Sequence, residues 1–495
     1  MYKKLISLFI ALIVILTMTS CGKKTTDTDV PADDTENTPV GYTDNIKGVF
    51  DDSNIVLTFP VFSDIHLEGG YAYESSYNRF VNAVNCVRNA SVTKKLDLLC
   101  VAGDLVCCTN SKVNVYYGNQ KYPGTREEQY ALQSVKEKEN LKRAIMDTIY
   151  PDTKFFYCTG NHDSIGGNYT KDFIAALSGE NNKDFDYFYG DDLDKESLQS
   201  GYRYIKMGDS HFIAAECGIT DEGYVWLKNT LDSIVSSDPT ANIFMLYHYK
   251  PANMTFDSSN QDRQIRKFLE SYPQVIVFGG HSHTYVNFEN AIMQSNKGFI
   301  SVDCGSVSEL NEADLVKLNG GDALNAKGAD IKKHSEGLLA EVDKGGNVRI
   351  SRFDFILNEK VGNNWVIPAI KSDGSRELLY TKDREGSKDK PILTGNATVQ
   401  YESGYIRLNI PKATSSQTIY RYEVTVSDES GEKVSSVNYV SSLFFTCATA
   451  EELPKKYNVR FKPDISITTG KYIASIVAVD SWGNTSDPLK VEFTA

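Results

Sequence analysis

The histidines of this chain are few, and most of them share one kind of position. The sequence of 495 residues contains seven histidines, and five of them follow short apolar runs of the kind that form buried strands. These five are His66, His162, His248, His281 and His283. Three other polar residues stand in the same kind of position: Asp64, Asp104 and Asn161. Because ligand sites in α/β sheets form at the carboxyl ends of strands, we expect these side chains to meet.

The chemistry of this set indicates a metal centre. Imidazole, carboxylate and amide groups, without an obvious thiolate, suit divalent Mn, Fe or Zn and also permit Ni or Co. A single polar residue after a strand would be explained more simply as a surface or buried polar group, but five strand ends favour a shared site. The candidate ligands are Asp64, His66, Asp104, Asn161, His248, His281 and His283. Seven ligands suit two divalent metal ions that share a carboxylate and lie about 3.5 to 4 Å apart.

The segments that carry these residues resemble the signature of the calcineurin-like metallophosphoesterase superfamily. In chain order they are Asp64-x-His66, Gly103-Asp104, Gly160-Asn161-His162-Asp163, His248 and Gly280-His281-x-His283. The resemblance covers residues 50–310 in its motifs and extends to residue 390 in its fold. It implies an α/β fold in four layers, an α/β/β/α sandwich with two central sheets, and two bound divalent metal ions.

The resemblance also implies a role for each residue. The ligands divide into two sets of three and one bridging residue: Asp64, His66 and His283; Asn161, His248 and His281; and Asp104. A hydroxide that bridges the two metal ions would attack the phosphorus atom in line. His162 would face the leaving-group oxygen as general acid or charge stabiliser, and Asp163 would orient the His162 ring or raise its pKa. A structural role for Asp163 alone is the alternative.

These roles predict a metallophosphoesterase that hydrolyses phosphodiesters or phosphomonoesters. Cys107 stands where purple acid phosphatases carry a tyrosine ligand, and the C-terminal region is too small for the substrate domain of exported 5′-nucleotidases. Neither subfamily is therefore favoured. Two alternatives remain open: a surface-tethered binding or adhesion protein with a degenerate metal domain, and hydrolysis of a non-phosphate ester by the same hydroxide.

An alternation of apolar runs and amphipathic helices predicts the α/β domain that positions these residues. Each motif follows a predicted strand: 55–62, 96–102, 154–158, 242–247 and 274–278. Helices are predicted at 77–92, 126–149, 221–236 and 262–272, and hairpins at 201–206 with 211–216 and at 337–342 with 347–355. Residues 365–370 would close the domain. The glycines before Asp104, Asn161 and His281 would let the chain turn sharply as it leaves each strand.

The C-terminal region is entirely β in character. From about residue 391, apolar and polar residues alternate in about seven short runs, a pattern typical of an antiparallel sandwich. This module resembles fibronectin type III or other Ig-like domains. The predicted organisation is a signal peptide at 1–20, a tether at 21–49, the phosphoesterase domain at 50–390 and the sandwich at 391–495.

The N-terminus has the features of an export signal. Lys3 and Lys4 precede an apolar run at residues 5–16, which is shorter than the roughly 20 residues of a membrane span. The following Ser20-Cys21-Gly22 resembles a bacterial lipobox, so Cys21 is the predicted lipidation site. The protein would then be exported and lipid-anchored to a membrane of the bacterial cell envelope, on its outer face or periplasmic side. An ordinary secreted protein or an uncleaved anchor are the alternatives.

The charge balance limits the partners. Lys and Arg number 52 against 65 Asp and Glu, a net charge of −13 that becomes −15 if Lys3 and Lys4 are lost with residues 1–20. This balance argues against broad nucleic-acid binding, which needs a basic surface. Two divalent ions would make the site locally positive, since only Asp64 and Asp104 among the ligands are acidic. We expect a monomer that acts on a small-molecule or cell-envelope phosphoester.

Overall fold

The computed structural model describes most of the chain beyond residue 43. The described residues are 44–69, 73–107, 116–117, 120–121, 124–163, 201–255, 261–308, 335–386, 390–415, 419–440, 456–480 and 482–495. The predicted signal peptide and the lipidation site Cys21 lie outside these ranges, as does most of the predicted tether. The domain boundaries stay predictions.

Twelve strands longer than two residues form the described part of the α/β region. They are Ile55–Phe62 (β1), Leu98–Ala102 (β2), Lys154–Cys158 (β3), Arg203–Met207 (β4), Ser210–Ala215 (β5), Asn242–Tyr247 (β6), Val275–Gly279 (β7), Ile292–Gln294 (β8), Ile300–Asp303 (β9), Glu336–Asp343 (β10), Val348–Asp354 (β11) and Trp365–Ile367 (β12). The helices are Tyr73–Ala90 (α1), Arg126–Thr148 (α2), Asp221–Ser237 (α3) and Arg263–Leu269 (α4).

These strands form two mixed sheets. The first sheet has the order β11-β10-β1-β2-β3, with β12 also paired to β11, and β1, β2 and β3 run parallel. The second sheet has the order β8-β9-β7-β6-β5-β4, and β5, β6, β7 and β9 run parallel. In each sheet the carboxyl ends of the parallel strands therefore meet at one edge.

The two sheets pack face to face, and helices cover their outer faces. Phe59 of β1 lies between the sheets, with its ring 5.0 Å from that of Phe212 and 4.9 Å from that of Phe244. On the opposite face of β1, Phe62 belongs to a core that includes residues of α1 and α2. A separate core joins the second sheet to α3 and α4. The predicted α/β class and four-layer arrangement are confirmed.

Replacing Phe59 by alanine tests this packing. We expect Phe59→Ala to lower the free energy of unfolding by about 3 to 5 kcal/mol, because the cavity would lie between two rigid sheets. Val56→Ala on the same strand is the control, since Val56 is 60% exposed and should change stability by no more than about 0.5 kcal/mol. Denaturant unfolding measures both, and equal losses would contradict the proposed packing.

Most predicted elements occur within a few residues of their predicted positions. The strands at 55–62, 154–158 and 242–247 match β1, β3 and β6, and both predicted hairpins form. The predicted helix at 262–272 is shorter, because α4 ends at Leu269. β8 and β9 were not predicted. Cys100 and Cys158 lie buried as free thiols in β2 and β3.

Among the described residues of the C-terminal region, seven further strands form two small antiparallel sheets. They are Thr398–Glu402 (β13), Tyr405–Pro411 (β14), Ile419–Asp428 (β15), Lys433–Val440 (β16), Lys456–Phe461 (β17), Lys471–Asp480 (β18) and Leu489–Thr494 (β19). One sheet has the order β13-β14-β17 and the other β16-β15-β18-β19. Alternate residues such as Leu408, Val424 and Ile476 form one apolar core. In the part of the chain that the structure describes, no helix is long and apolar enough to cross a membrane.

Candidate metal centre

The predicted ligands lie where the carboxyl edges of the two sheets meet. Asp64 and His66 follow β1, Asp104 follows β2, and residues 161–163 follow β3. The second sheet contributes His248 after β6 and the segment 281–283 after β7. Within the first sheet the backbone joins the ends of β1 and β2 directly, since the Asp64 amide donates to the Gly103 carbonyl at 3.1 Å.

The first group of candidate ligands consists of Asp64, His66 and His283. His283 Nε2 lies 3.1 Å from Asp64 Oδ1, and the Nε2 atoms of His66 and His283 are 3.2 Å apart. Asp64 is fully buried, and its Oδ1 accepts no hydrogen bond from the described residues. A buried carboxylate oxygen that faces two imidazole nitrogens fits a divalent cation, which would satisfy all three atoms.

The second group consists of Asp104, His248 and His281, with Asn161 beside it. His248 Nε2 lies 3.3 Å from Asp104 Oδ2 and 3.2 Å from Asn161 Oδ1. His248 Nδ1 lies 2.8 Å from the Ala102 carbonyl oxygen, which can only accept a hydrogen bond. Nδ1 therefore carries a proton, which leaves Nε2 as the atom of this ring that can bind a cation once it is deprotonated.

Asp104 belongs to the second group and also lies close to the first. Its Oδ2 is 3.7 Å from His66 Nε2 as well as 3.3 Å from His248 Nε2. A third group brings Asp104 together with His66 and His162. Asp104 is therefore within 4 Å of an imidazole nitrogen of each group.

Both buried carboxyls are held in their ionised form. Burial by itself raises the pKa of each, but the neighbouring histidines outweigh burial. His283 holds the pKa of Asp64 well below its usual value, and His248 and His66 lower the pKa of Asp104 to about 2. Two buried anions in one site are costly without cations nearby, so this arrangement suits divalent metal ions.

The backbone at the site adopts a conformation that non-glycine residues avoid. Five candidate ligands have left-handed φ angles: Asp64 at 50°, His66 at 45°, Asp104 at 49°, His281 at 68° and His283 at 48°. Each such residue costs on the order of 1 to 3 kcal/mol and persists only where its surroundings enforce it. The sequence contains no signal for this strain, because none of the five residues is a glycine.

The three glycines of the motifs serve two different purposes. Gly103 has a φ of 89°, so it makes the expected sharp turn. At Gly160 and Gly280 close approach is the requirement: a Cβ atom on Gly160 would overlap the Asp104 carboxylate, and one on Gly280 would overlap Ser63. The predicted role as turn residues is thus supported only at Gly103.

His162 and Asp163 differ in their surroundings. The His162 ring packs edge-on against His66 with centroids 4.7 Å apart, and its Nδ1 has no hydrogen-bond partner among the described residues. Asp163 is fully buried; its Oδ1 accepts from the amides of Leu105 at 2.8 Å and Val106 at 3.1 Å, and its Oδ2 from Gly160 at 2.7 Å. These bonds tie the loops after β2 and β3 together and favour the structural alternative for Asp163.

Two charged residues beside the site were missed by sequence reasoning. Lys250 and Asp303 form a buried ion pair that contacts Ser282, which lies between His281 and His283. Lys250 follows His248 by two residues, and Asp303 ends an apolar run, so the same strand-end argument could have found both.

Comparison with known proteins finds a phosphoesterase family that is similar to part of the chain. Residues 57–285 match the family model of the calcineurin-like phosphoesterase. No curated protein matches the chain. The matched residues 57–285 also contain the His/Asp groups described above, which form a candidate binuclear metal site.

Several solved structures are similar to parts of the chain. One is a purple acid phosphatase from yellow lupin (Lupinus luteus) seeds, with 14% identity, 67% of this chain covered and a TM-score of 0.39; the match spans 58% of that protein, less than two thirds. The fibronectin(III)-like modules of Clostridium thermocellum CbhA match at 16% identity, over 32% of this chain and 67% of that chain, with a TM-score of 0.14. The FN1–FN3 domains of chicken CNTN1 match at 10% identity, over 32% and 41%, with a TM-score of 0.16.

Proposed function

We propose that this chain is a binuclear metal-dependent hydrolase of phosphodiesters or phosphomonoesters. One observation carries the proposal: Asp104 Oδ2 lies 3.7 Å from His66 Nε2 of the first group and 3.3 Å from His248 Nε2 of the second, in a region that matches the calcineurin-like phosphoesterases. Two divalent cations held there would supply Lewis acidity, which activates a water molecule for attack and neutralises the phosphoryl oxygens. The donors fit Mn, Fe or Zn, and also Ni or Co.

The site residues would have separate roles in metal binding and in assistance to the leaving group. Asp64, His66 and His283 would hold one ion, and Asn161, His248 and His281 would hold the other, with Asp104 between them. The Ala102 carbonyl keeps the His248 ring in the tautomer that can bind a cation. His162 would donate a hydrogen bond toward the leaving-group oxygen, because its ring lies beside both groups.

The proposed location of this activity is the bacterial cell envelope. The support is the export signal and Cys21, which would attach the chain to a membrane through lipid. A cell-envelope or small-molecule phosphoester would then be the substrate, and the chain would act as a monomer. The acidic surface disfavours long nucleic acids but leaves short-range binding of a phosphoryl group possible, because the cations act locally.

The binding or adhesion alternative requires a degenerate metal domain. Within each of the two groups the ligand atoms all lie within 4.8 Å of one another. This clustering supports the catalytic proposal instead. A site without catalytic use has no evident reason to maintain five strained ligand residues.

Metal removal is the direct test of the proposed function. The full chain should contain about two divalent ions and hydrolyse a nitrophenyl phosphodiester or phosphomonoester when Mn is added. Dialysis against a chelator should abolish turnover, and Mn or Zn should restore it, because the attacking water depends on the cations. Nitrophenyl acetate serves as the non-phosphate control.

Metal analysis and turnover together separate the alternatives. A chain that binds no metal and hydrolyses neither phosphoester would favour the binding protein. Hydrolysis of the acetate alone would favour the non-phosphate esterase.

A further inference from the structure

A buried ion pair contacts the segment that carries the candidate ligands His281 and His283. The side chains of Lys250 and Asp303 are 1% and 0% exposed. Lys250 Nζ donates hydrogen bonds to Asp303 Oδ2 and to Ser282 Oγ. The Ser282 hydroxyl donates to Asp303 Oδ2 at 3.0 Å and accepts from Thr284 Oγ1 at 2.5 Å. The Ser282 hydroxyl is therefore held by three buried neighbours.

These contacts join three strand ends of the second sheet. Lys250 lies two residues beyond His248 after β6, Ser282 follows β7, and Asp303 is the last residue of β9. The other carboxylate oxygen of Asp303 accepts from the Gly305 amide at 3.2 Å, which fixes the chain after β9. The position of Ser282 is thus set relative to both neighbouring strands.

The segment that Ser282 belongs to needs such a support. His281 and His283 both have left-handed backbone conformations, which persist only where neighbouring contacts enforce them. The His281 amide donates to Asp64 Oδ2 at 3.0 Å, which anchors the start of the segment. Between the two histidines, the contacts of Ser282 with Lys250 and Asp303 anchor it a second time.

Stability alone does not explain a buried pair of opposite charges. Desolvation of two charges offsets most of their attraction, so replacement by apolar residues of similar volume is often neutral or stabilising. Partners that orient metal ligands, in contrast, commonly change metal affinity by about 10- to 100-fold when mutated. The placement of this pair against a residue flanked by two ligands indicates the second use.

We propose that the Lys250–Asp303 ion pair is a positioning device that fixes Ser282 and thereby aims His281 and His283 at the metal centre. This proposal rests on the proposed function, since it takes both histidines as metal ligands. Lys250, Asp303 and Ser282 are positioning residues, because they touch the ligand segment and not the reacting atoms.

Metal affinity and apo-protein stability, measured on the same variants, test the proposal. In the full chain, Ser282→Ala and Lys250→Met should each raise the Kd for Mn by about 10- to 100-fold in calorimetric titration of the metal-free protein. Arg349→Met is the matched control: Arg349 pairs with buried Glu341 at 2.6 Å and contacts no candidate ligand. It should lower the melting temperature of the metal-free protein yet leave the Kd within about twofold of wild type.

Loss of folding in one variant would not block the test. The double variant Lys250→Met with Asp303→Leu leaves no lone buried charge, so it should fold and still show the raised Kd. An Mn Kd within twofold of wild type in both Ser282→Ala and the double variant would overturn the positioning role. Failure of the wild-type chain to bind Mn would instead overturn the proposed function itself, and this proposal with it.

Discussion

Asp104→Asn is expected to remove bound metal and hydrolytic activity together. Asp104 Oδ2 lies 3.3 Å from His248 Nε2 and 3.7 Å from His66 Nε2, so its charge serves both ligand groups. An amide at this position has no negative charge to hold two cations. We expect turnover to fall about 10³-fold or more, because several kcal/mol of transition-state stabilisation would be lost at about 1.4 kcal/mol per tenfold. Metal analysis and kcat on the same sample measure the two losses.

Asp343→Asn is the matched control for this substitution. Asp343 is also a buried aspartate, but it accepts from the amides of Asp51 at 3.0 Å and Asn347 at 2.9 Å, away from the candidate ligands. It should keep the metal content and turnover of the wild type. If Asp104→Asn retained two metal ions per chain, the bridging role would be wrong.

His162→Gln should show the opposite combination, with metal kept and turnover slowed. His162 lies beside Asp104 and His66, yet its Nδ1 has no hydrogen-bond partner among the described residues. Burial lowers the pKa of the ring, which favours a neutral imidazole that donates one hydrogen bond to the developing charge. Loss of such a group slows turnover by roughly 10² or more. Metal analysis and kcat again separate binding from chemistry.

The leaving group makes the test of His162 sharper. Nitrophenolate leaves readily without help, whereas an alkoxide needs a donor, so the variant should lose more activity on an alkyl phosphoester than on a nitrophenyl one. His211→Gln is the control, because that ring lies outside the site with its Nδ1 2.8 Å from the Tyr204 hydroxyl. Loss of metal from His162→Gln would show that His162 is a metal ligand. The assignment of His162 as a residue that assists the leaving group without binding metal would then be wrong.

The parts of this fold that depend on local pattern were predictable from the sequence. Runs such as Leu98–Ala102 and Asn242–Tyr247 are apolar on both faces, as strands between two layers must be. The polar residues at the ends of these runs predicted the site, since parallel strands bring their carboxyl ends together. The seven alternating runs after residue 391 also predicted the C-terminal sheets, because strands with one buried and one exposed face alternate apolar and polar residues.

Features that depend on contacts between distant segments were not predictable in this way. β8 and β9 contain three and four residues, too few for a periodic signal. The left-handed φ angle at His66 arises from tertiary contacts, because histidine has no intrinsic preference for this conformation strong enough to predict it from the sequence. The hydrogen bonds that Asp163 accepts from backbone amides likewise form only when the loops after β2 and β3 are in place.

The first sheet depends on a pairing between two segments that are far apart in the chain. Its strand β1 pairs on one side with β10, so Ile55 lies opposite Asp343, far along the chain. Until residues 336–343 are available, β1 presents an unpaired edge that can associate with other chains, and closure over so long a loop is slow. A chain ending at residue 285 would contain every candidate metal ligand and still lack the strand that completes the sheet from which Asp64 and His66 extend.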